Sequence, residues 1–432
     1  MRPLIRTAFR SALNGLRRFG FIERLNARWK GHLQTRSAWR EEAAYAERAR
    51  RQSLELLEGD ALARALRRRL ASRGISPKPR PKGALRLFLA YYAQTWEKVL
   101  PVVLARFGRV TEFRFDSDRF DGCSAGEWLR RRDEMNRQML RAFFAAHAEA
   151  PFDAVIGYLS GRTASAEAVA EMSSAGAAVV NFCWDDTLNF LGKPIRGRHT
   201  GPGAIASAVD LNLTNSPGSR IKYMVEGGLS LFWPEAAEPA LHRPRDVPFA
   251  FDVSFVGARY GWRPSFIEAL RRQGIRVATF GRGWPAGMLS DEGMVLLYSG
   301  SRVNLGFSSV GHSRSVSCLK ARDFEVPMSG GLYLTQHHPA LKLVYRMGVE
   351  ILTYRDVGEC ARKIRWLLDH PRQAQAIRRT GRARALRDHT WDRRFESVFR
   401  LLGLLEEERP SPLAASALIE RRSQACAGSA ES

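Results

Sequence analysis

The strongest constraint on the fold is a repeated alternation between short apolar runs and longer amphipathic segments. The runs LRLFLAYY (85–92), AVIGYLS (154–160) and AAVVNFCW (177–184) have the length and composition of buried parallel strands. Segments of helical periodicity lie between them, as at residues 126–149 and 163–176. Because strands that alternate with helices form βαβ units, this pattern predicts a parallel sheet covered on both faces.

The alternation restarts after a proline-rich segment, PEAAEPALHRPRDVP (234–248), which is typical of an interdomain linker. Beyond it, the strand-like runs FDVSFVG (251–257), IRVATFG (275–281) and VEILTY (349–354) are again accompanied by helical segments. The chain has 432 residues, which exceeds the usual size of one core. We therefore predict an α/β protein with two Rossmann-like parallel-sheet domains that face a cleft.

Changes in composition predict the domain boundaries. The segment SPKPRPKG (76–83) combines proline, charge and a closing glycine, as linkers do. We predict a basic helical extension over 1–83, an N-terminal domain over 84–240, a C-terminal domain over 249–408 and a disordered tail over 409–432.

Positive charge is concentrated in the N-terminal extension. The chain has 68 Lys and Arg against 44 Asp and Glu, and residues 1–83 alone hold 21 against seven. This excess favours phosphate-bearing partners: nucleic acid, an anionic membrane or phosphorylated small molecules. Residues 1–30 place Ile5, Phe9 and Leu13 at helical spacing among arginines. Such a helix binds an anionic membrane surface or docks on the body of the protein.

The cysteines and the hydropathy pattern predict a cytoplasmic protein. The five cysteines are scattered and form no CxxC pair, which argues against a disulfide framework or a zinc site. The sequence has no signal-peptide pattern and no run of 18 apolar residues. No metal-ligand spacing is recognisable, so we predict no metal and no cofactor.

The carboxyl ends of the predicted strands mark candidate binding residues, because ligands of open parallel sheets bind there. FDVSFVG ends at Gly257, and Arg259 and Arg263 follow at a predicted helix start. Glycine allows close backbone approach, a helix N-terminus offers free N–H groups, and guanidiniums add bidentate donors to a phosphate. The alternative is a tight turn with solvated arginines.

A second candidate is the charged stretch LKARDFEVPMSGGLYLT (319–335), in which Lys320, Arg322 and Glu325 stand close together. Pro327 predicts that the helix ends or bends near residue 326. The alternative for Arg322 and Glu325 is a surface ion pair worth a few tenths of a kcal/mol.

An acidic pair, Asp185 and Asp186, follows the strand AAVVNFCW. We predict that these carboxylates supply a base to a substrate that binds the N-terminal domain. The alternative is a pair that begins the next helical segment.

Motifs between residues 251 and 397 resemble the CgeB/YkvP-like spore-protein group of glycosyltransferases, which is related to the group-1 families of GT-B fold. The motifs are DVSFVGARYGWR, SRVNLGFSS, LKARDFEVPMSGGLYLT, VEILTYRDVGECARKIRWLLDHP and RDHTWDRR. The resemblance implies a metal-independent transferase of the hexosyltransferase type. The C-terminal domain would bind a nucleotide-sugar donor, and the N-terminal domain would bind an acceptor that belongs to the cell envelope or is linked to a membrane.

The resemblance also implies roles for single residues. Glu325 matches the carboxylate that holds the ribose hydroxyls of the nucleotide. Arg259 and Lys320 resemble the basic residues that hold the donor diphosphate, with Arg263 and Arg322 as helpers. The pocket would be shaped by three glycines, Gly257, Gly330 and Gly331. Ser317 departs from the pattern, since the related families have a carboxylate there.

Two other classes of function fit parts of the sequence. The departure at Ser317 is compatible with a non-catalytic GT-B-like scaffold or coat protein. The net charge of +24 is compatible with nucleic-acid binding, although the basic excess lacks interleaved aromatic residues. We predict no specific nucleic-acid partner, and a location in the cytoplasm or at the inner face of the membrane.

Overall fold

The computed structural model of the protein describes residues 20–92, 96–116 and 122–406. Most of the predicted membrane-binding helix over 1–30, and the whole of the predicted disordered tail over 409–432, lie outside the described residues.

The first sheet contains six parallel strands in the order β2-β1-β3-β4-β5-β6. The strands are β1 (Leu85–Tyr91), β2 (Gly108–Arg114), β3 (Ala154–Gly157), β4 (Ala178–Cys183), β5 (Leu211–Thr214) and β6 (Ser230–Phe232). The sequence predicted the first five, since the runs VTEFRFD (110–116) and DLNLTNSP (210–217) are also strand-like. It missed β6, which has only three residues and directly precedes the proline-rich segment.

The second sheet contains five parallel strands in the order β11-β10-β9-β7-β8. The strands are β7 (Phe251–Val256), β8 (Ala278–Phe280), β9 (Ser301–Leu305), β10 (Tyr333–Gln336) and β11 (Leu352–Tyr354). The predicted α/β class with two parallel sheets is therefore confirmed.

Helices surround both sheets. They are α1 (Gly20–Arg51), α2 (Gly59–Ser72), α3 (Val99–Leu104), α4 (Ala125–Glu149), α5 (Ala166–Ser174), α6 (Asp186–Asn189), α7 (Ser219–Val225), α8 (Arg263–Arg272), α9 (Asp291–Ser299), α10 (Arg322–Met328), α11 (Val357–Asp369), α12 (Pro371–Asp388) and α13 (Trp391–Leu401). Within the described ranges, none of them is long and apolar enough to cross a membrane.

Side-chain caps explain where several helices begin. Before α4, Ser124 accepts a hydrogen bond from the Glu127 N–H while the Glu127 carboxylate accepts one from the Ser124 N–H, which is a capping box. Ser165 and Asp356 cap α5 and α11 with a single hydrogen bond each, which the side-chain oxygen accepts from a backbone N–H of the first turn. The helical segment predicted over 37–73 is instead two helices. The chain turns after α1, where Ser53 has a φ of +52°.

Helix α13 crosses from the second domain and packs into the core of the first. Its Phe399 ring lies 5.1 Å from the Phe107 ring, and its Trp391 ring lies 5.9 Å from the Trp233 ring, between centroids. The Trp233 indole N–H also donates to the Arg394 carbonyl at 2.9 Å. The C-terminal helix of the described chain therefore belongs to the aromatic core of the first domain.

Helix α1 contacts both domains. Towards the first domain, the Lys222 ammonium donates to Glu41 at 2.5 Å, and the Tyr45 hydroxyl donates to Glu226 at 2.7 Å. Towards the second domain, the His312 N–H donates to the Gln34 amide oxygen at 2.7 Å. The helix therefore bridges the two domains beside the cleft.

We expect Phe399→Ala to lower the free energy of unfolding by about 3–5 kcal/mol, because it removes a fully buried ring and leaves a cavity. Chemical denaturation followed by circular dichroism measures the change. Phe144→Ala is the matched control, since Phe144 is a phenylalanine on the surface. Equal losses in the two variants would contradict the packing described for α13.

Candidate functional site

The carboxyl ends of the two sheets meet at a junction where side chains from both domains touch. Asn215 follows β5 in the first domain, and its side-chain N–H donates to the Leu319 carbonyl of the second domain at 3.2 Å. Asp185, which follows β4, is exposed, and its charge acts on the thiol of Cys318. The predicted acceptor-side and donor-side residues are therefore brought together at one junction.

Gly257 ends β7 in a conformation that no other residue adopts easily, with a φ of +154°. A Cβ at this position would lie 2.8 Å from the Phe255 ring and 3.3 Å from the Arg322 guanidinium. The missing side chain therefore lets Arg322 approach the backbone at the end of the strand, as a phosphate-binding turn requires.

Arg263 and Arg322 hold two guanidiniums over one aromatic ring. Their guanidinium carbons lie 5.7 and 5.6 Å from the Phe255 centroid, and Arg263 also lies 4.1 Å from the Tyr260 centroid. Arg263 donates to the Ala258 carbonyl at 3.0 Å. The first turn of α8 and the first turn of α10 thus present two cations to the same space.

Neither guanidinium has a carboxylate within 4 Å among the described residues. Burial lowers the pKa of Arg263 to about 10, and the Arg322 charge acts in the same direction. The Nε atom of Arg322 is buried without a hydrogen-bond partner. Because buried cations are normally paired, this arrangement is suited to an anion with several acceptor oxygens.

Asp323 holds the chain segment that carries Lys320. Its carboxylate accepts hydrogen bonds from the Lys320 backbone N–H and the Tyr333 hydroxyl, both at 2.8 Å. Burial raises the pKa of Asp323 to about 6. The Lys320 ammonium donates to the Cys318 sulfur at 3.0 Å, so it faces the junction beside Arg322.

Arg259 lies at the border of a cavity of about 1070 Å³ between α1 and the second domain. It is exposed, and its guanidinium carbon lies 5.8 Å from the centroid of Trp284. The cavity walls carry further cations and indoles, including Arg36, Arg314 and Trp39. Arg259 therefore borders this cavity, whereas Lys320 and Arg322 are not part of its wall.

Glu325 stands one turn along α10 from Arg322 and is partly buried. Its nearest polar neighbours in the described chain are the Tyr298 hydroxyl at 3.5 Å and His242 Nε2 at 3.9 Å. Both contacts are long, so the carboxylate keeps acceptor capacity for ligand hydroxyls. The Arg322–Glu325 surface pair considered from the sequence is not formed within 4 Å.

Gly330 and Gly331 serve the packing of the turn between α10 and β10. Gly330 has a φ of +74° and lies against Pro244 of the linker. A Cβ at Gly331 would come within 2.8 Å of Asn304 and Val326. Their role in donor binding stays a prediction.

The acidic pair after β4 has two different environments. The Asp186 carboxylate is fully buried and accepts hydrogen bonds from the Ser219 hydroxyl at 3.0 Å and the Tyr223 hydroxyl at 3.1 Å. Burial raises the pKa of Asp186 to about 6. These contacts tie α6 to α7, which favours a structural role. The exposed Asp185 is the member of the pair that a substrate can reach.

Glu235 is a candidate that sequence reasoning missed. It lies just after β6, is buried, and accepts hydrogen bonds from the Asn215 side chain at 3.1 and 3.2 Å. Burial raises the pKa of Glu235 to about 8, although the nearby Lys320 charge opposes the shift. In the sequence, only its position shortly after the aromatic residues Phe232 and Trp233 could have pointed to it. That position lies inside the segment that was interpreted as an interdomain linker.

His338 lies at the carboxyl end of β10. The ring is buried, and its Nε2 atom has no hydrogen-bond partner among the described residues. Burial and the Lys320 charge lower the pKa of His338 to about 3, so the ring is neutral. In the part of the chain that the structure describes, no group of three or more His, Cys, Asp or Glu could hold a metal ion.

A family model places transferase sequence features on the second domain. Residues 263–400 match a model described as "Glycosyl transferase-like". The match includes Arg263, Lys320, Arg322 and Glu325. No curated protein matches this sequence.

Solved structures show which fold about three quarters of the chain adopts. It is similar to a sucrose-phosphate synthase from Thermosynechococcus elongatus, with 12% identity, 74% of this chain and 99% of that chain covered, and a TM-score of 0.54. It is also similar to Anabaena HepE in complex with UDP-glucose, with 11% identity, 74% and 100% covered, and a TM-score of 0.50. A glycosyltransferase from Rickettsia africae gives 10% identity, 74% and 97% covered, and a TM-score of 0.50. The fold is therefore GT-B, and together with the family model it supports a transferase.

Glu235→Gln should flatten the pH dependence of stability. With a pKa raised from 4.5 to about 8, Glu235 keeps its proton in the folded state after the unfolded chain has released it. Raising the pH from about 5 to about 8 therefore favours unfolding, by up to about 1.4 kcal/mol per pH unit from this residue alone. The variant lacks that contribution.

Urea denaturation across this pH range, with Glu55→Gln as a surface control, measures the effect. Parallel pH profiles for Glu235→Gln and wild-type protein would show that Glu235 is not held in its neutral form.

Proposed function

We propose that the protein is a glycosyltransferase that moves a sugar from a nucleotide-sugar donor to an acceptor in the cell envelope or linked to a membrane. The observation that carries the proposal is a pair of guanidiniums, Arg263 and Arg322, which lie near the end of β7 in a GT-B fold and have no carboxylate partner among the described residues. A diphosphate would supply the negative charge and the hydrogen-bond acceptor oxygens with which these two guanidiniums can pair. The specific resemblance to the CgeB/YkvP-like group, and the hexosyltransferase type, belong to this proposal.

The same cations supply the chemistry of the transfer. When a sugar leaves a nucleoside diphosphate, negative charge grows on the β-phosphate. Arg263, Arg322 and Lys320 are positioned before the reaction, so they stabilise that charge without reorganising. Arg259 adds a fourth cation from the open side of the cleft. The chain's own residues therefore provide the electrostatic stabilisation, and we propose a reaction that does not depend on a metal.

Two carboxylates would bind the ribose of the donor and remove the proton of the acceptor. Glu325 has only long contacts with protein donors and would accept the ribose hydroxyls of the nucleotide. Asp185 is exposed on the acceptor-side domain and would take the proton of the attacking hydroxyl. A uridine nucleotide is the first donor to test, since HepE of the same fold was solved with UDP-glucose.

Arg322→Gln should weaken donor binding by about 10- to 100-fold, because it removes a charge-assisted contact to the diphosphate. Thermal shift against a panel of nucleotide sugars identifies the donor, and titration calorimetry measures the affinities. Arg379→Gln on the surface of α12 is the matched control. Unchanged donor affinity in Arg322→Gln would contradict the assigned diphosphate site.

Glu325→Ala should abolish donor turnover while the fold is kept. Release of the nucleoside diphosphate measures turnover, and circular dichroism verifies the fold. Full activity in this variant would remove Glu325 from the site. Donor binding by the wild-type protein without any transfer or hydrolysis would instead indicate the non-catalytic scaffold that Ser317 leaves open.

A further inference from the structure

The outward side of α1 exposes four large apolar side chains. Leu25, Trp29, Leu33 and Trp39 are 49%, 64%, 45% and 56% exposed. At 100° per residue they fall within one sector of about 120°. We call this side the outer face of α1. The opposite side of the helix is buried against the protein and includes Gly31, Thr35 and Tyr45.

The cavity explains part of this exposure, since Leu25 and Trp39 line it, but Trp29 and Leu33 lie outside its wall. Single exposed apolar residues are normal, but two indoles and two leucines on one helix face form a contiguous apolar patch. The contacts of α1 with the two domains are made by its other side, through Gln34, Glu41 and Tyr45. The outer face therefore serves an interaction beyond the described chain.

The basic side chains on the outer face indicate that its partner is negatively charged. His32, Arg36 and Arg40 are exposed among the apolar side chains. Residues 25–40 contain four Lys and Arg and no Asp or Glu. Tryptophan and leucine between basic side chains suit the boundary between headgroups and acyl chains, and each cation gains from anionic lipid.

We propose that the outer face of α1 docks the protein on an anionic lipid bilayer. Trp29 and Leu33 enter the headgroup boundary, and Arg36 and Arg40 contact lipid phosphates. The assignment differs from the one expected over residues 1–30, since it places the contact on residues 25–40.

Docking in this orientation also sets the position of the cavity. Leu25, Arg36 and Trp39 belong both to the outer face and to the cavity wall, and Arg259 lies on the opposite wall. The cavity would then open at the bilayer surface, and an acceptor held by a lipid would reach it from there. This consequence rests on the proposed function, whereas membrane docking itself does not.

The test is co-sedimentation of the full chain with phosphatidylcholine vesicles, with and without phosphatidylglycerol. Wild-type protein should bind the phosphatidylglycerol vesicles more tightly, with an affinity that falls at high salt. The double variant Trp29→Glu/Leu33→Glu should lose at least about tenfold in affinity. The matched control is Trp366→Glu/Leu386→Glu, two exposed apolar residues on α11 and α12, and it should bind as wild type.

Three results would overturn the proposal. The first is that wild-type protein does not bind the vesicles, and the second is that the double variant binds them as tightly as wild type. The third is that removal of residues 1–19 abolishes vesicle binding while the double variant keeps it. A change of molecular mass in the double variant, measured by analytical ultracentrifugation, without a change in vesicle binding would show that a second copy covers the face. Donor affinity, measured on the same samples, should be unchanged, so a failure of docking is distinguishable from a failure of the proposed function.

Discussion

The aromatic cluster at the domain junction is the interaction on which the rest of the site depends. The Trp391 ring of α13 lies 5.7 Å from Trp184 and 5.9 Å from Trp233, two residues of the first domain. Asp185 follows Trp184 directly, and Glu235 comes two residues after Trp233. The packing of α13 therefore positions Asp185 and Glu235 of the first domain opposite the cations of the second.

That placement gives the junction an uneven distribution of charge. Lys320, Arg263 and Arg322 lie on the side of the second domain, whereas Glu235 of the first domain is held neutral by burial at pH values below about 8. Burying cations without carboxylate partners costs free energy, which the large apolar cores offset. A ligand that carries negative charge binds the folded state alone, so it recovers part of that cost and raises the apparent stability.

The sequence was informative where local pattern decides structure. Apolar runs of strand length predicted at least part of β1 to β5, β7, β8 and β11, and the end of one such run led to Gly257 and Arg263. It was less informative where partners are distant in the chain. Glu235 is a site residue because Asn215, some twenty positions earlier, meets it at the junction. Likewise, only the tertiary contacts with Ser219 and Tyr223 distinguish buried Asp186 from exposed Asp185.

The two sets of contacts made by α1 differ in strength, and this difference determines how the cleft can open. Towards the first domain, charge-assisted bonds join Glu41 to Lys222 and Arg48 to Glu226. Towards the second, neutral hydrogen bonds join Gln34 to His312 and Thr35 to Ser313. Since charge-assisted bonds are roughly twice as strong, a rotation of the domains would break the contacts at His312 and Ser313 first. Helix α1 is therefore held more firmly by the first domain than by the second.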